Sequence, residues 1–303
     1  MNSGKMTNKG WEFRVDAVPF QNKDWRVGVY FNIAHNENKI TEMPDNYIEE
    51  NYTFGNGNYA YRREEGRPMG SFYGYRYKGV YQNKDATYAR DIEGNVMKDI
   101  SGNAIVMRNG SYTVAPGDAI YEDVNHDGVI NQYDIVYLGN SNPRLTGGAG
   151  LNVSYKQFKL SAIFYGRYGQ DVVNATRLNN ESMRGIDNQS TAVLRRWRNE
   201  GDQTDIPRAL YGEGYNTLGS DRFVEDASYL RLKSLSFTYR LPKKAIQRWG
   251  FNNIDVYVTG YNLFTWTNYT GQDPEVKTEN TYAKDTATTP ASIQLVAGFN
   301  LSF

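Results

Sequence analysis

The sequence contains no cysteine and only two histidines, His35 and His126. Disulfides, thiolate zinc sites and cysteine nucleophiles are therefore excluded, and imidazole chemistry is restricted to two positions. The 34 basic and 34 acidic residues balance to a formal charge of zero, so no broad basic surface for nucleic acid is indicated. These absences disfavour zinc enzymes and nucleic-acid-binding proteins.

Long apolar segments are missing as well. No run of ~18 apolar residues is present, so no transmembrane helix is predicted. Low average hydropathy does not exclude a membrane protein, because the strands of a membrane barrel alternate lipid-facing with lumen-facing residues. Tyrosine and glycine are abundant, with 25 and 29 residues, which favours a β-rich fold. The periodicity of apolar residues must therefore decide the fold.

Seven segments alternate with a period of two residues, which indicates β-strands with two different faces. The last of them places these apolar residues at every second position: Ile293, Leu295, Ala297, Phe299, Leu301 and Phe303. The other six lie at 11–20, 25–33, 151–155, 158–165, 235–241 and 254–261. A strand that crosses a membrane needs about 9–11 residues. Alternation alone fits a soluble β-sandwich equally well.

The lengths of the connections separate these two folds. Short connections at 21–24, 156–157 and 242–251 alternate with long ones at about 37–143, 169–228 and 268–291. Outer-membrane barrels have this asymmetry, with short periplasmic turns and long extracellular loops. We therefore predict an all-β fold, an antiparallel transmembrane β-barrel segment of about seven strands, in the outer membrane of a Gram-negative bacterium.

Seven strands cannot close a barrel of this type, since bacterial examples have even strand numbers of eight or more. We therefore expect the chain to be a part of a longer protein or to complete its barrel with another polypeptide. The tyrosine-rich segment 72–82 is a candidate for an eighth strand. Counting it would reverse the direction of every later strand, so we assign it to the first long loop.

Residues 123–134 follow the spacing of an EF-hand calcium loop. The oxygen ligands at positions 1, 3, 5, 7, 9 and 12 would come from Asp123, Asn125, Asp127, the Val129 carbonyl, Asn131 and Asp134. Position 12 carries aspartate where sensor loops carry glutamate, which favours a structural calcium site over a switch. The alternative is an Asx-rich surface turn that binds nothing.

The first long loop contains a second candidate site, made of aromatic side chains. We predict that its rings face the substrate or a partner protein, because flat rings provide contact area at small entropic cost. The set is Tyr52, Phe54, Tyr59, Tyr61, Phe72, Tyr73, Tyr75 and Tyr77. The alternative is a loop in which the rings pack against one another.

No catalytic residues are predicted. The sequence has no nucleophile elbow of the Gly-x-Ser-x-Gly type and no phosphate-binding Gly-x-x-x-x-Gly-Lys loop. Nothing selects two of its 34 acidic residues as an acid/base pair for glycoside hydrolysis. We therefore predict that the protein is not an enzyme. From the residues alone, a secreted, calcium-stabilised, glycan-binding β-sandwich remains the alternative function.

Several segments resemble the SusC/RagA family of TonB-dependent outer-membrane transporters. They are 222–233 (RFVEDASYLRLK), 239–242 (YRLP), 259–267 (TGYNLFTWT) and 271–275 (GQDPE). The resemblance spans nearly the whole chain and implies the C-terminal part of a plugged barrel of about 22 strands, without the plug domain.

The same resemblance implies a nutrient-transport function. It implies import of oligosaccharides or peptides, a SusD-like surface lipoprotein as a lid, and a contact with TonB through an N-terminal region that this chain lacks. Phe299, Leu301 and Phe303 resemble the terminal signal that directs insertion into the outer membrane.

Overall fold

The computed structural model of the chain describes residues 4–43, 57–60, 62–276, 278–279 and 282–303. Its main element is a sheet of seven long strands. They are β1 Lys5–Gln21, β2 Trp25–Glu42, β3 Leu145–Tyr155, β4 Phe158–Tyr168, β5 Tyr229–Arg240, β6 Asn253–Thr267 and β7 Gln294–Ser302. Each strand pairs antiparallel with its neighbours in the chain, so the sheet order is the chain order. All seven predicted strands are confirmed.

The antiparallel order places the connections at two ends of the sheet. The short ones, 22–24, 156–157 and 241–252, lie at one end, and the long ones, 43–144, 169–228 and 268–293, lie at the other. β2 extends to Glu42, beyond the predicted loop start at 37. Among the described residues, no helix has the length and apolar character to cross a membrane.

The strand register gives the sheet one apolar face. Phe237 of β5 lies opposite Leu160 of β4 and Val258 of β6. Directly opposite residues point to the same side of a sheet, so apolar side chains continue from strand to strand. The exposed apolar residues on this face are Trp11, Phe13, Val15, Val29, Phe31, Leu160, Phe237, Val256, Val258, Leu295, Phe299 and Leu301.

The opposite face of the sheet is polar. Ser161, Ser236 and Thr259 lie side by side on β4, β5 and β6, and the hydroxyls of Ser236 and Thr259 are 2.8 Å apart. Gly150 also belongs to this face, where it makes room for the neighbouring ring of Tyr30. A Cβ atom at Gly150 would lie 1.9 Å from Cε1 of Tyr30, so a larger residue would displace the ring.

A β-bulge interrupts the half of the sheet that lies nearer the long connections. The pairing of β5 with β4 and with β6 shifts between Leu232 and Ser234. On β6 the extra residue is accommodated by Asn262, whose φ of 53° lies in the left-handed region that asparagine tolerates. The bulge brings Lys233 into contact with the last long connection, where its ammonium lies 2.9 Å from Glu275.

The connections carry the remaining secondary structure. Helix α1 is Ala175–Asn180, and α2, Lys243–Ile246, lies between β5 and β6. Short strands occur at Ser71–Gly74, Tyr77–Val80, Arg108–Asn109, Tyr112–Thr113, Ala119–Tyr121, Val136–Asn140, Asp171–Asn174, Val224–Asp226, Thr278–Glu279 and Tyr282–Asp285. Turns of 3-10 helix occur at Asp85–Thr87, Gln132–Asp134, Thr191–Arg195, Tyr215–Thr217, Asp221–Phe223 and Gln247–Trp249. Every described backbone pairing of the segment 72–82 is with other loop residues, as assigned.

Candidate functional site

The described aromatic residues of the first long loop are packed in two hydrophobic clusters, with Tyr73 and Tyr75 in one and Tyr59 and Phe72 in the other. Tyr59, Phe72, Tyr73 and Tyr75 are buried. The Tyr75 ring lies 5.6 Å from that of Tyr121, and burial raises the pKa of the Tyr75 phenol. The prediction that these four rings face substrate or partner is therefore corrected in favour of the self-packed alternative. Ring burial offsets the entropy of ordering a long loop, which explains this arrangement.

Tyr77 lies at the edge of the cluster that contains Tyr73 and Tyr75 and is half-buried. Its hydroxyl donates to the carbonyl oxygen of Asp205 at 2.6 Å, and the Arg222 guanidinium lies 5.3 Å from its ring centre. It therefore joins the first long loop to the second. Three further members of the predicted set, Tyr52, Phe54 and Tyr61, lie outside the described residues.

A buried carboxylate, Asp118, connects the two loops more firmly. Its oxygens accept hydrogen bonds from Nε of Arg208 at 2.7 Å, the Tyr112 hydroxyl at 2.7 Å and the Ala115 amide at 2.8 Å. The Asn216 side chain, also from the second loop, donates to it at 3.3 Å. Asp118 is fully buried, so these donors replace the water that it loses. The two loops therefore form one unit.

The acidic loop, 123–134, forms a tight turn held by its own side chains. Asp123 accepts a hydrogen bond from the Gly128 amide at 2.8 Å, and Asp127 accepts one from the Val129 amide at 2.8 Å. Gly128 has a φ of 81°, as a sharp turn requires. The side chain of Asn125 donates to Asp127 at 2.9 Å. These contacts order the loop from within.

At the C-terminal end of the acidic loop, Asp134 and Asn131 bond to the backbone of the loop itself. Both carboxylate oxygens of the buried Asp134 accept backbone hydrogen bonds, from Val124 and from Asn131, each at 2.8 Å. Burial raises the pKa of Asp134. The side-chain amide of Asn131 donates to the Val129 carbonyl at 3.1 Å. Across the described ranges, no three acidic or histidine side chains gather closely enough to hold a metal ion. The calcium site stays a prediction.

The polar face of the sheet carries an ionic clamp that sequence reasoning missed. Arg231 of β5 is buried and bonds to Asp273 and, at 2.9 Å, to Glu275. Its Nε donates to the Thr265 hydroxyl of β6 at 2.8 Å. Together with Lys233, this clamp holds the last long connection across the polar face. The sequence signal for this clamp was a pair of basic residues on β5 together with a pair of acidic residues in the segment GQDPE.

The terminal residues lie on the apolar face. Phe299 is 67% exposed and Phe303 is 80% exposed, and Leu301 lies between them on the same face. The Phe303 ring contacts that of Phe251, with 4.9 Å between ring centres, at the end of the sheet where the short turns lie. Their role as an insertion signal stays a prediction.

The sequence is similar to those of known TonB-dependent receptors. No protein-family model matches the sequence. The chain is 32% identical over 286 residues to TonB-dependent receptor P3 of Formosa agariphila, covering 92% of the chain and 26% of that receptor. It is 27% identical over 311 residues to TonB-dependent receptor SusC of Bacteroides thetaiotaomicron, covering 100% of the chain and 27% of SusC.

A solved structure described as the RagAB peptide transporter matches with a TM-score of 0.74 and 26% identity, over 100% of this chain and 30% of that one. A second, described as the RagAB peptide importer in the "closed-closed" state, matches with a TM-score of 0.73. The chain thus spans about a quarter of the length of the curated relatives that it matches.

Proposed function

Since the chain is related over nearly all its length to TonB-dependent receptors of the SusC and RagA type, we propose that it forms the C-terminal part of an importer's barrel wall. In this proposal the short turns face the periplasm and the long connections face outside. The strands contribute lipid contacts on one side and part of the transport lumen on the other.

The observation that carries the proposal is the two-faced sheet. Phe237, Val258 and Phe299 are each about half or more exposed, although burying one such side chain is worth about 1.5–3 kcal/mol. A soluble β-sandwich covers an apolar face of this kind with a second sheet. The described side chains of this face remain exposed, so no described strand covers them. A lipid bilayer is the environment in which such an exposed apolar face is stable.

The polar face supports the second half of the proposal. Hydroxyl and charged side chains line it, and the clamped last connection crosses it near the outer end. We propose that oligosaccharides or peptides pass along this face, with a plug, a TonB contact and a SusD-like surface lipoprotein completing the importer. No covalent step is required, and the relatives are described as receptors and transporters. A structural calcium ion in the loop 123–134 is part of the proposal.

Solubility provides a sharp test. Expressed alone without detergent, this chain should aggregate, because its apolar face has no cover in water. Within the longer receptor it should fractionate with the outer membrane and migrate differently on gels before and after heating. Recovery of the chain as a detergent-free monomer with cooperative unfolding would refute the barrel assignment.

A further inference from the structure

The last long connection encloses a cleft against the polar face of the sheet. The cleft has a volume of about 800 Å³ and lies between Arg167 of β4 and the loop segments 273–276 and 284–291. Arg167 pairs with Thr146 and Tyr229 on the polar face, so the cleft opens on the side proposed to be the lumen. An inference about this cleft rests on the proposed function, because it concerns what the importer carries.

The three carboxylates in the wall of the cleft already have hydrogen-bond or ionic partners within the protein. Besides the clamp to Arg231, Asp273 accepts a hydrogen bond from the Ala291 amide at 2.9 Å. Glu275 is held by Arg231 and by Lys233, each at 2.9 Å. Asp285 accepts from the Tyr269 hydroxyl at 2.7 Å and from a backbone amide at 2.9 Å. These three acids are therefore engaged in holding the loop.

The donors of the cleft are less occupied. Arg167 is half-buried, and its Nε donates to the Tyr165 hydroxyl at 3.2 Å. Lys284 is exposed, and no carboxylate among the described side chains forms an ion pair with it or with Arg167. Exposed threonines add hydroxyl groups at 286, 288 and 289. The cleft thus presents two cations and three hydroxyls beside two ion-paired acids, Asp273 and Glu275, and a third acid, Asp285, that is held by hydrogen bonds.

We propose that this cleft binds a carboxylate group of the transported oligomer. A guanidinium, an ammonium and nearby hydroxyls are the donors that a carboxylate accepts, and charge-assisted bonds of this kind are the stronger ones. The described residues that line the cleft include no aromatic side chain, so it offers no ring on which a neutral sugar stacks. Peptide carboxyl termini and uronic acids both supply the required group.

Two matched pairs of probes test the ligand chemistry. Calorimetry on the full-length receptor in detergent would compare N-acetyl-tetraalanine with its C-terminal amide, and tetragalacturonate with its full methyl ester. In at least one pair the acid should bind about tenfold or more tightly than the neutral partner, and this preference should weaken with added salt. The pair that shows it identifies the source of the carboxylate. Equal binding within both pairs, or binding by none of the probes, overturns the proposal.

Single substitutions test the residues. Lys284→Gln and Arg167→Gln should each weaken binding of the preferred acid about tenfold and leave the neutral partner unchanged. Lys98→Gln removes an exposed cation of the first long loop and should leave both affinities unchanged. Unchanged affinity of Lys284→Gln would overturn the proposal. Heat-shifted migration of each variant confirms folding. If the receptor imports substrate but does not discriminate carboxylates, only this inference is refuted. If the receptor is absent from the outer membrane, the proposed function is refuted.

Discussion

Removal of the Asp118 carboxylate should loosen the unit formed by the first two long loops. In Asp118→Ala, the Arg208 guanidinium, the Tyr112 hydroxyl and the Ala115 amide lose a common acceptor. Breaking a buried ion pair costs ~3–5 kcal/mol, but Arg208 is about one-third exposed and recovers part of its hydration. We therefore expect a loss of about 2–3 kcal/mol.

Amide hydrogen exchange on the full-length receptor measures this loss locally. A cost of about 2–3 kcal/mol corresponds to roughly 30–150-fold faster exchange of the amides at 112–121 and 208–218. Asp118→Asn keeps the shape and one oxygen acceptor, so its effect should be smaller. Glu93→Ala, an exposed change in the same loop, is the control and should change nothing. Exchange in Asp118→Ala within threefold of the parent would show that the carboxylate does not hold the loops together.

Three further predictions concern the acidic loop, the clamp and the terminal strand. Calorimetry of the parent should show a calcium-binding heat that Asp127→Ala abolishes, and equal heats in both would exclude the site. Arg231→Gln should speed protease cleavage within 268–293 at least tenfold, since loss of the buried cation leaves Asp273 without an ionic partner and Glu275 with Lys233 alone, and an unchanged cleavage rate would exclude the clamp. Phe299→Lys should lower barrel stability in detergent by about 2–4 kcal/mol and reduce the folded fraction in membranes, whereas Asn300→Lys on the polar face should be mild.

The strands were predictable because their signal is local. Alternation within ten residues fixes which side chains share a face, and the lengths of the connections fix the direction of each strand. Only the extents were wrong, as in β2, whose outer half loses the apolar alternation from His35 onward but continues to pair with β1. Hydrogen bonding to a neighbouring strand extends a strand beyond its apolar pattern.

The loop interior was not predictable for the opposite reason. The hydroxyl of Tyr59 donates to the Ser220 carbonyl at 2.7 Å, across 161 residues of sequence. No periodic pattern relates such partners, and an aromatic residue among asparagines and glycines reads equally well as ligand-facing or buried. The clamp between Arg231 and Asp273 has the same character, because its partners come from a strand and a distant loop.

The unit formed by the first two long loops has a consequence for how an opening would occur. Its aromatic core and the Asp118 cluster resist local unfolding, so the two loops would shift together as a rigid body. Rotation would act on the residues that join this body to the sheet, among them 141–144 and 169–170, and would break contacts such as the hydrogen bond from the Ala283 amide to the Ser141 hydroxyl at 2.6 Å. Stiffening 141–144 would accordingly slow this shift while leaving hydrogen exchange in the loop interior unchanged.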